Sequence, residues 1–489
     1  MTTLHRPLLF AALDKYVGLA INLATAAIVA RLLTPDEIGV FVVGAAVVML
    51  AESLREFGTG SYIVQRPELE RGAVRTAFTA MVLLALLIGA ALLIAAGPIA
   101  AFYGDPRLVP ILQLAAFGVL VSAFAGPCIA LLRRDMAFGT LAIIDIGGLV
   151  ANLVATLLFI ALGAGYLSLS LAALAASATV AVVAVFYRPQ FWIFRPNLTH
   201  WREIFGFGGV ASATTVLNNL YSALPQILLG RFASFDAAGL FSRAAQLCQL
   251  PDRAIVGAFQ PVVFSAFAAE IRAGGTLKTS YLHTLALLSS VQWPVLVVLA
   301  ILAEPVVRLI LGPQWDAAAP VLRILCIAYL SMAPASLTYP TLVATGRVGD
   351  TLTSSLLTLP VGAVAMVVAA PHGLDAIAYS MFLSWPLQIV VSLFLIRRQI
   401  HFTWAELAKS VWKSVPVALA AAIAPAAVIL QQGLRPDLPL PILALAVGGA
   451  ALGWLAGLWG VQHPLFAELL NIARMLRERV RPTAPAAGE

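Results

Sequence analysis

The chain repeats the stretch Arg31-Leu-Leu-Thr-Pro-Asp36-Glu-Ile-Gly39-Val-Phe41 at a distance of 200 residues, as Arg231-Phe-Ala-Ser-Phe-Asp236-Ala-Ala-Gly239-Leu-Phe241. The arginine, aspartate, glycine and phenylalanine keep the same spacing in both copies. Each copy lies between two long apolar segments. Two similar halves are typical of secondary transporters, in which the substrate site lies between the halves. The repeat therefore predicts a carrier built from two lobes.

The composition is that of a membrane protein. The 489 residues are 61% hydrophobic and 11% charged, whereas soluble domains have about 25% charged residues. The three cysteines have no metal-ligand spacing and form no disulfide framework. The net charge of +7 is carried mainly by loops, without the basic and aromatic patch of a nucleic-acid-binding protein. We therefore expect no nucleic acid, bound metal or cofactor, apart from H⁺ or Na⁺ as a coupling ion.

Apolar segments of about 20 residues mark membrane helices. We predict an all-α polytopic integral membrane protein with about 14 such helices. Their ranges are 8–32, 38–56, 76–97, 109–132, 139–162, 165–187, 207–229, 237–267, 281–303, 317–343, 352–371, 374–396, 411–430 and 438–460. The predicted domains are an N-lobe at 1–190, a C-lobe at 191–400, two extra helices at 401–461, and a cytoplasmic amphipathic helix with a disordered tail at 462–489.

The two predicted lobes hold six helices each, so both enter the membrane in the same sense. We therefore expect a pseudo-two-fold axis along the membrane normal. Two weaker matches between the halves support this. Pro110 corresponds to Pro320 at an offset of 210 residues, and Gly165 corresponds to Gly373 at an offset of 208. Most of the 30 Lys and Arg residues fall in loops on one side. Since such loops are cytoplasmic, both termini should lie in the cytoplasm.

Ionisable residues at membrane depth usually face a cavity or a partner. The candidate substrate-binding cations are Lys15, Arg243, Arg253 and Arg323. The candidate acids for setting cavity charge or coupling an ion are Asp14, Glu52, Asp145 and Asp252. The candidate polar lining is Asn22, Asn218, Ser222 and Gln246. Polar stripes of this kind also serve only to join neighbouring helices, so both interpretations stay open for the amides and hydroxyls.

The balance of cations over acids favours a polyanionic ligand, because guanidinium groups bind phosphate oxygens in bidentate fashion. Glu52 and Asp252 occupy equivalent positions at the 200-residue offset, which argues against a chance placement. We find no phosphate-binding Gly-Lys-Ser/Thr loop and no catalytic constellation in the sequence, so we expect a transporter and no enzyme.

Several motifs resemble the polysaccharide-transport family of the multidrug/oligosaccharidyl-lipid/polysaccharide (MOP) exporter superfamily. They are Ala30 to Phe41, Phe57-Gly-Thr-Gly60, Ile63-Val-Gln65, Phe102-Tyr-Gly-Asp-Pro106 and Leu131-Leu-Arg-Arg-Asp-Met136. The resemblance covers roughly residues 8–400. It implies a flippase for polyprenyl-diphosphate-linked oligosaccharides, used in exopolysaccharide, O-antigen or capsule assembly at the bacterial inner membrane.

The resemblance also implies a cationic cavity between V-shaped lobes, with membrane lipids, a polysaccharide polymerase and export machinery as further partners. One alternative is a multidrug or cation antiporter of the same superfamily, which needs an acid-dominated cavity. Another is a membrane-embedded glycan ligase or polymerase, which usually carries a large outside loop. The short outside loops of this chain weigh against the second alternative.

Overall fold

The computed structural model describes residues 5–55, 62–64, 66, 69–203, 209–347 and 349–480. Within these ranges the side chains are described except at 5–14, 54–55, 209–213, 255–262, 472–473 and 475–480. The described residues form α-helices joined by short turns, and none of them lies in a β-strand. The predicted all-α membrane fold is confirmed. The tail beyond residue 480, predicted to be disordered, lies outside the described residues.

The first six helices pack against one another as the N-lobe. They are α1 His5–Leu32, α2 Pro35–Arg55, α3 Arg71–Tyr103, α4 Leu108–Arg134, α5 Phe138–Ala161 and α6 Ser168–Tyr187. Within this lobe α1 packs on α5, α3 on α4, α4 on α6, and α5 on α6. The chain then passes through a short turn, Phe191–Phe194, which packs on α3.

The C-lobe follows the same plan. Its helices are α7 Gly209–Phe232, α8 Phe235–Arg272, α9 Lys278–Ile301, α10 Ala303–Ile310, α11 Ala318–Tyr329, α12 Ala335–Ala344, α13 Gly349–Ala369 and α14 Leu374–Ile400. Helix α7 packs on α13, α9 on α11, α11 on α14, and α13 on α14, which reproduces the pairings of the N-lobe. The segment expected as one span at 317–343 is found as one candidate span, Ala318–Ala344, within which a 3-10 turn at Leu330–Met332 separates α11 from α12. Pro334 lies at the break, because proline cannot donate the backbone hydrogen bond that a continuous helix needs.

Four further helices follow the C-lobe. They are α15 Trp404–Trp412, α16 Ser414–Gln432, α17 Leu440–Gly460 and α18 Pro464–Val480. Helices α16 and α17 pair with each other, and α16 packs on α9. The Ser289 and Ser414 hydroxyl oxygens are 2.9 Å apart, and Trp454 Nε1 donates to the Ser290 carbonyl at 2.8 Å. These contacts attach the extra helices to the outside of the C-lobe.

Within the described part of the chain, 11 helical segments have the length and hydropathy of membrane spans. Three long helices, α2, α7 and α8, are not among them. Helices α7 and α8 carry charged or amide side chains along their length, whereas α2 is apolar from Ile38 to Ala51 and charged only near its ends. The same three helices form the main contacts between the lobes, where α2 packs on α7 and α8. The total of fourteen spans stays a prediction.

Candidate substrate cavity between the lobes

The repeated motif is the place where the two lobes cross. We call the end of the molecule that holds the α1–α2 and α7–α8 turns the motif end, and the opposite end the basic end. A Cβ atom on Gly39 would lie 1.8 Å from the Phe235 carbonyl oxygen, and one on Gly239 would lie 2.3 Å from the Pro35 carbonyl oxygen. Each repeated glycine therefore lets α2 and α8 touch backbone to backbone, in two equivalent contacts.

Hydrogen bonds reinforce the crossing at the motif end. Trp315 Nε1 donates to the Ala30 carbonyl at 2.6 Å, and Gln314 Nε2 donates to the Leu33 carbonyl at 2.9 Å. Further bonds between the lobes run from Arg31 to Leu309 and from Tyr103 to Ile227. Sequence reasoning missed Gln314 and Trp315, because they lie in an unrepeated turn. These hydrogen bonds hold the two lobes together at the motif end, and they would have to break for the lobes to separate there.

The charged residues of the motif stabilise the turns, as the sequence predicts. Asp36 accepts from Arg107 Nη1 at 2.5 Å, and Arg107 also binds Asp105 at 2.7 Å. Burial raises the pKa of Asp105, but the hydrogen bonds and charge of Arg107 outweigh it and hold that pKa below its usual range. Arg231 lies 5.0 Å above the ring of Phe102. These pairs are therefore structural.

The hydrophobic cores show where the lobes separate. One core is shared by both lobes at the motif end and includes Val29 and Val43 from the N-lobe with Leu229 and Phe241 from the C-lobe. At the basic end, one core lies in residues 62–194 and another in residues 263–411. Among the described residues, neither of these two cores contains a member from the other lobe. The lobes therefore join at the motif end and diverge toward the basic end.

One face of α1 passes from the shared core into the space between the lobes. Val29 is buried in the core, and Asn22 and Lys15 follow at steps of seven residues on the same face. Both side chains are exposed, and Asn22 Nδ2 donates to the Gly18 carbonyl at 2.9 Å. Lys15 and Asn22 therefore lie on the face of α1 that packs against the C-lobe further along.

Helix α7 repeats this arrangement in the C-lobe. Leu229 is buried in the shared core, Ser222 lies seven residues before it, and Asn218 lies one turn further. Ser222 and Asn218 are exposed. The polar stripes predicted for α1 and α7 therefore occupy equivalent positions on the two sides of the cavity.

Helix α8 supplies most of the positive charge. Arg243 lies one turn beyond Gly239 on the same face, and its Nη1 donates to Gln246 Oε1 at 2.7 Å. Its Nε is buried without a partner. Arg253 is exposed and donates to Gln249 Oε1 at 3.2 Å. Neither arginine has a carboxylate partner among the described residues, so both can receive an anion.

The two repeated acids lie away from this cavity. Asp252 follows Arg243 by nine residues, which is half a turn in angle, and therefore points into the C-lobe. There Gln292 Nε2 donates to its Oδ1 at 3.3 Å, and the Tyr329 hydroxyl hydrogen-bonds it as well. In α2, Glu52 follows Val43 by nine residues, so it also points into its own lobe. There it lines a cavity inside the N-lobe. Sequence spacing predicted their equivalence, but the structure places both acids inside their own lobes.

The remaining candidates divide as follows. Asp145 is exposed on the face of α5 that turns toward α1, four residues before Leu149, which contacts Gly18. The side chain of Asp14 lies outside the described residues.

Arg323 forms a bidentate ion pair with Glu304, at 2.6 Å to each oxygen, and donates to the Ala300 carbonyl at 3.2 Å. Its donors are thus engaged near the motif end, and we leave it out of the candidate site.

The Arg323–Glu304 pair is expected to stabilise the C-lobe. Replacing Arg323 by Ala should lower stability by about 2 kcal/mol, between the values for exposed pairs (about 0.2–1) and buried pairs (about 3–5), since both side chains are partly buried. The thermal unfolding midpoint of the purified protein measures this loss. Glu304→Gln, which keeps the size of the partner, should lower the midpoint less. An unchanged midpoint in Arg323→Ala would show that the pair contributes nothing.

The sequence profile of the family described as "Polysaccharide biosynthesis protein" matches residues 28–320, which is more than half of the chain. The chain belongs to this family. The matched region includes both copies of the repeat, α8 with Arg243 and Arg253, and most of the shared core.

Three curated relatives of this polysaccharide biosynthesis protein are similar along much of their length. The lipopolysaccharide biosynthesis protein WzxC of Escherichia coli is 22% identical over 66% of each chain. The succinoglycan biosynthesis transport protein ExoT of Rhizobium meliloti is 27% identical over 71% of this chain and 70% of its own. The teichuronic acid biosynthesis protein TuaB of Bacillus subtilis is 24% identical over 57% and 58%. The matched region covers 66% of WzxC and 58% of TuaB, which is less than two thirds of each protein.

Solved structures show the same fold at low identity. The lipid II flippase MurJ, in an inward closed conformation, has a TM-score of 0.76 at 11% identity and covers 94% of this chain and 100% of its own. An inward-facing multidrug resistance MATE family transporter of the MOP superfamily has a TM-score of 0.66 at 16% identity, over 80% and 98%. The chain therefore has the same fold as these two transporters.

Proposed function

We propose that the protein is a flippase that moves polyprenyl-diphosphate-linked oligosaccharides across the bacterial inner membrane for exopolysaccharide, O-antigen or capsule assembly. The observation that carries the proposal is the pair of arginines on α8, the helix that packs on α2 of the other lobe: Arg243 and Arg253 hydrogen-bond glutamine side chains and form no ion pair with a carboxylate among the described residues. An unpaired guanidinium at membrane depth is costly, and a diphosphate would supply the missing acceptors. The names of the relatives support the glycan part of the substrate.

The substrate would divide between the cavity and the lipid. The diphosphate and sugars would enter between the lobes, where Arg243, Arg253 and Lys15 offer donors and Asn218 and Ser222 offer polar contacts. The polyprenyl chain is apolar and would stay in the bilayer. Because the lobes diverge only toward the basic end, the head group would enter from that side.

Transport then requires the lobes to exchange their open and closed ends. The bonds at the motif end would break, and the two halves would close at the basic end behind the bound head group. Basic loops at the diverging end favour a cytoplasmic location for that end and for both termini. The motif end would then face the periplasm, where a polysaccharide polymerase and export machinery would receive the substrate.

The direct test follows the lipid-linked oligosaccharide in reconstituted vesicles. With a fluorescent glycan in one leaflet, purified protein should bring the substrate within reach of a membrane-impermeant glycosidase added on the other side. Empty vesicles and vesicles with an unrelated membrane protein are the controls. Cells lacking the gene should accumulate the intermediate in the cytoplasmic leaflet. Equal accessibility with and without the protein, or no accumulation in such cells, would refute the proposed function.

A further inference from the structure

The extra helices α16 and α17 form an apolar groove with α9 on the outside of the C-lobe. The groove measures about 310 Å³. Pro294 and Val295 line it from α9, Ala421 from α16, and Val447 and Trp454 from α17. Val295 and Val447 remain exposed, so the groove opens at the surface of the molecule. In a membrane, this surface would meet the acyl chains of lipids.

Three basic side chains lie where these helices reach the basic end of the molecule. Lys409 is on α15 and Lys413 directly follows that helix, four residues further along, and both are exposed. His283, near the start of α9, is exposed as well. We call Lys409, Lys413 and His283 the outer basic cluster. Like charges four residues apart on a helix repel each other, so an anion between the two lysines would relieve a cost.

The turn between α17 and α18 shows that two members of the cluster face one place. His463 in this turn is 1% exposed. Its burial lowers its pKa to about 4, and the positive charges of Lys413 and His283 act in the same direction. Lys413 Nζ also donates to the Gln462 carbonyl at 3.2 Å. Positive charge from α9 and from the start of α16 therefore converges at the end of α17.

Nearby acids do not neutralise this charge. Glu406 on α15 forms an ion pair with Lys278 at 2.7 Å. Glu468 on α18 is exposed and forms no ion pair in the part of the chain that the structure describes. Within that same part, no ion pair joins the outer basic cluster to a carboxylate. The cluster therefore complements an anion that the protein itself does not supply.

Two exposed tryptophans place the cluster at the level of the lipid headgroups. Trp412 and Trp459, at the basic ends of α15 and α17, are 69% and 70% exposed, and tryptophan prefers the membrane–water interface. Pro294 lies eleven residues after His283, which is three turns along one face of α9 and a rise of about 16 Å. Half of the hydrocarbon core is about 15 Å thick. The groove therefore lies at the depth that the acyl chain of a lipid in this leaflet would reach.

We propose that the outer basic cluster and the groove together bind one anionic phospholipid, with its phosphate at the cluster and one acyl chain in the groove. The lipid would lie between α9 and the pair of α16 and α17, and it would hold this pair against the C-lobe. A zwitterionic lipid could fill the groove but would bring no net negative charge to the two lysines. The site is separate from the space between the lobes, and binding to it does not depend on the proposed function.

Native mass spectrometry of the purified full-length protein in detergent measures the retained lipid directly. The probes are phosphatidylglycerol, which is anionic, and phosphatidylcholine with the same acyl chains. We expect one phosphatidylglycerol molecule to be retained at least about tenfold more tightly than phosphatidylcholine. Lys409→Gln combined with Lys413→Gln should abolish this preference. Arg133→Gln combined with Arg272→Gln is the matched control, because it removes two exposed charges from the same end of the molecule, and it should keep the preference.

A second pair of variants tests the groove instead of the charge. Ala451→Phe would place a ring in the groove from an exposed position and should weaken binding of phosphatidylglycerol at least about tenfold. Leu452→Phe changes the next exposed residue, which is not part of the groove lining, and should leave binding unchanged. If the double lysine variant does not purify as a monodisperse protein, this pair decides the question.

Equal retention of the two lipids by the wild type would overturn the proposal, as would a preference that survives the loss of both lysines or a groove that tolerates Ala451→Phe. Displacement of phosphatidylglycerol by inorganic phosphate alone would indicate a simple anion site without a lipid chain. Tighter retention of a polyprenyl phosphate would assign the surface to a different lipid, and either result would contradict the proposal. Because no lipid-linked glycan is present, all these outcomes are independent of whether the protein is a flippase.

Discussion

Replacing Arg243 and Arg253 together by glutamine is expected to reduce transport of the lipid-linked oligosaccharide by a factor of about 100 or more. A hydrogen bond to a charged group contributes about 1.5–3 kcal/mol, and both arginines are without carboxylate partners in the described structure. Losing two such bonds to a diphosphate removes about 3–6 kcal/mol, which is two to four orders of magnitude in affinity. The glycosidase-accessibility assay in reconstituted vesicles measures the rate.

Single substitutions separate charge from shape at these two positions. Arg243→Lys keeps the charge but loses the bidentate fork, so it should retain more transport than Arg243→Gln. The matched control is Arg272→Gln, since Arg272 is exposed at the far end of the same helix. Its transport should equal that of the wild type. Normal transport by the double variant, with the protein present in the membrane at its usual level, would remove these arginines from the site.

The repeat explains why the sequence predicted so much of the fold. Equal spacing of Gly39 and Gly239 indicated two similar halves, and the structure shows that the same glycines make the crossing between them. The length of the apolar segments predicted the helices, because a segment in the lipid core must satisfy its backbone hydrogen bonds internally. The exceptions were helices that are interrupted or short. The break between α11 and α12, and helices α10 and α15, depend on prolines and local caps that apolar length does not detect.

The site was predicted less completely, because side-chain direction depends on helix rotation. Sequence reasoning named Lys15 and Asn22 as candidates, and the structure places both on one face of α1 with Val29. Asp252 and Arg253 are adjacent in the sequence, so it could be inferred that they do not share one helix face, but the neighbours that each one meets could not be inferred. Arg323 illustrates the limit: its partner Glu304 lies in a different helix, and no regular spacing connects the two.

The lobes differ in charge although their backbones follow one plan. At the 200-residue offset, Arg243 corresponds to Val43 and Arg253 to Ser53. The N-lobe thus presents a mainly apolar α2 to the cationic α8 across the cavity. Under the proposed function, the C-lobe would therefore supply most of the positive charge that the anionic head group meets.

Replacing Gly39 by alanine is expected to prevent closure at the motif end and to lower transport at least about tenfold. The added Cβ would lie 1.8 Å from the Phe235 carbonyl oxygen, a backbone atom that cannot swing aside. Within a helix, glycine to alanine is otherwise stabilising by about 0.5–1 kcal/mol, so a loss must come from the crossing. Gly97→Ala is the matched control, because a Cβ there would meet nothing within 4 Å.

Spin labels at Leu32 and Ala233, both exposed beside the crossing, report the separation of the lobes. The native cysteines are buried, so labelling is confined to the introduced ones. Gly39→Ala should lengthen the label distance, Gly239→Ala should do the same, and Gly97→Ala should not. Since both glycines serve one crossing, the double variant should be little worse than either single one. An unchanged distance in Gly39→Ala would mean that the lobes do not pivot on this contact, and the motif would then need another explanation for its spacing.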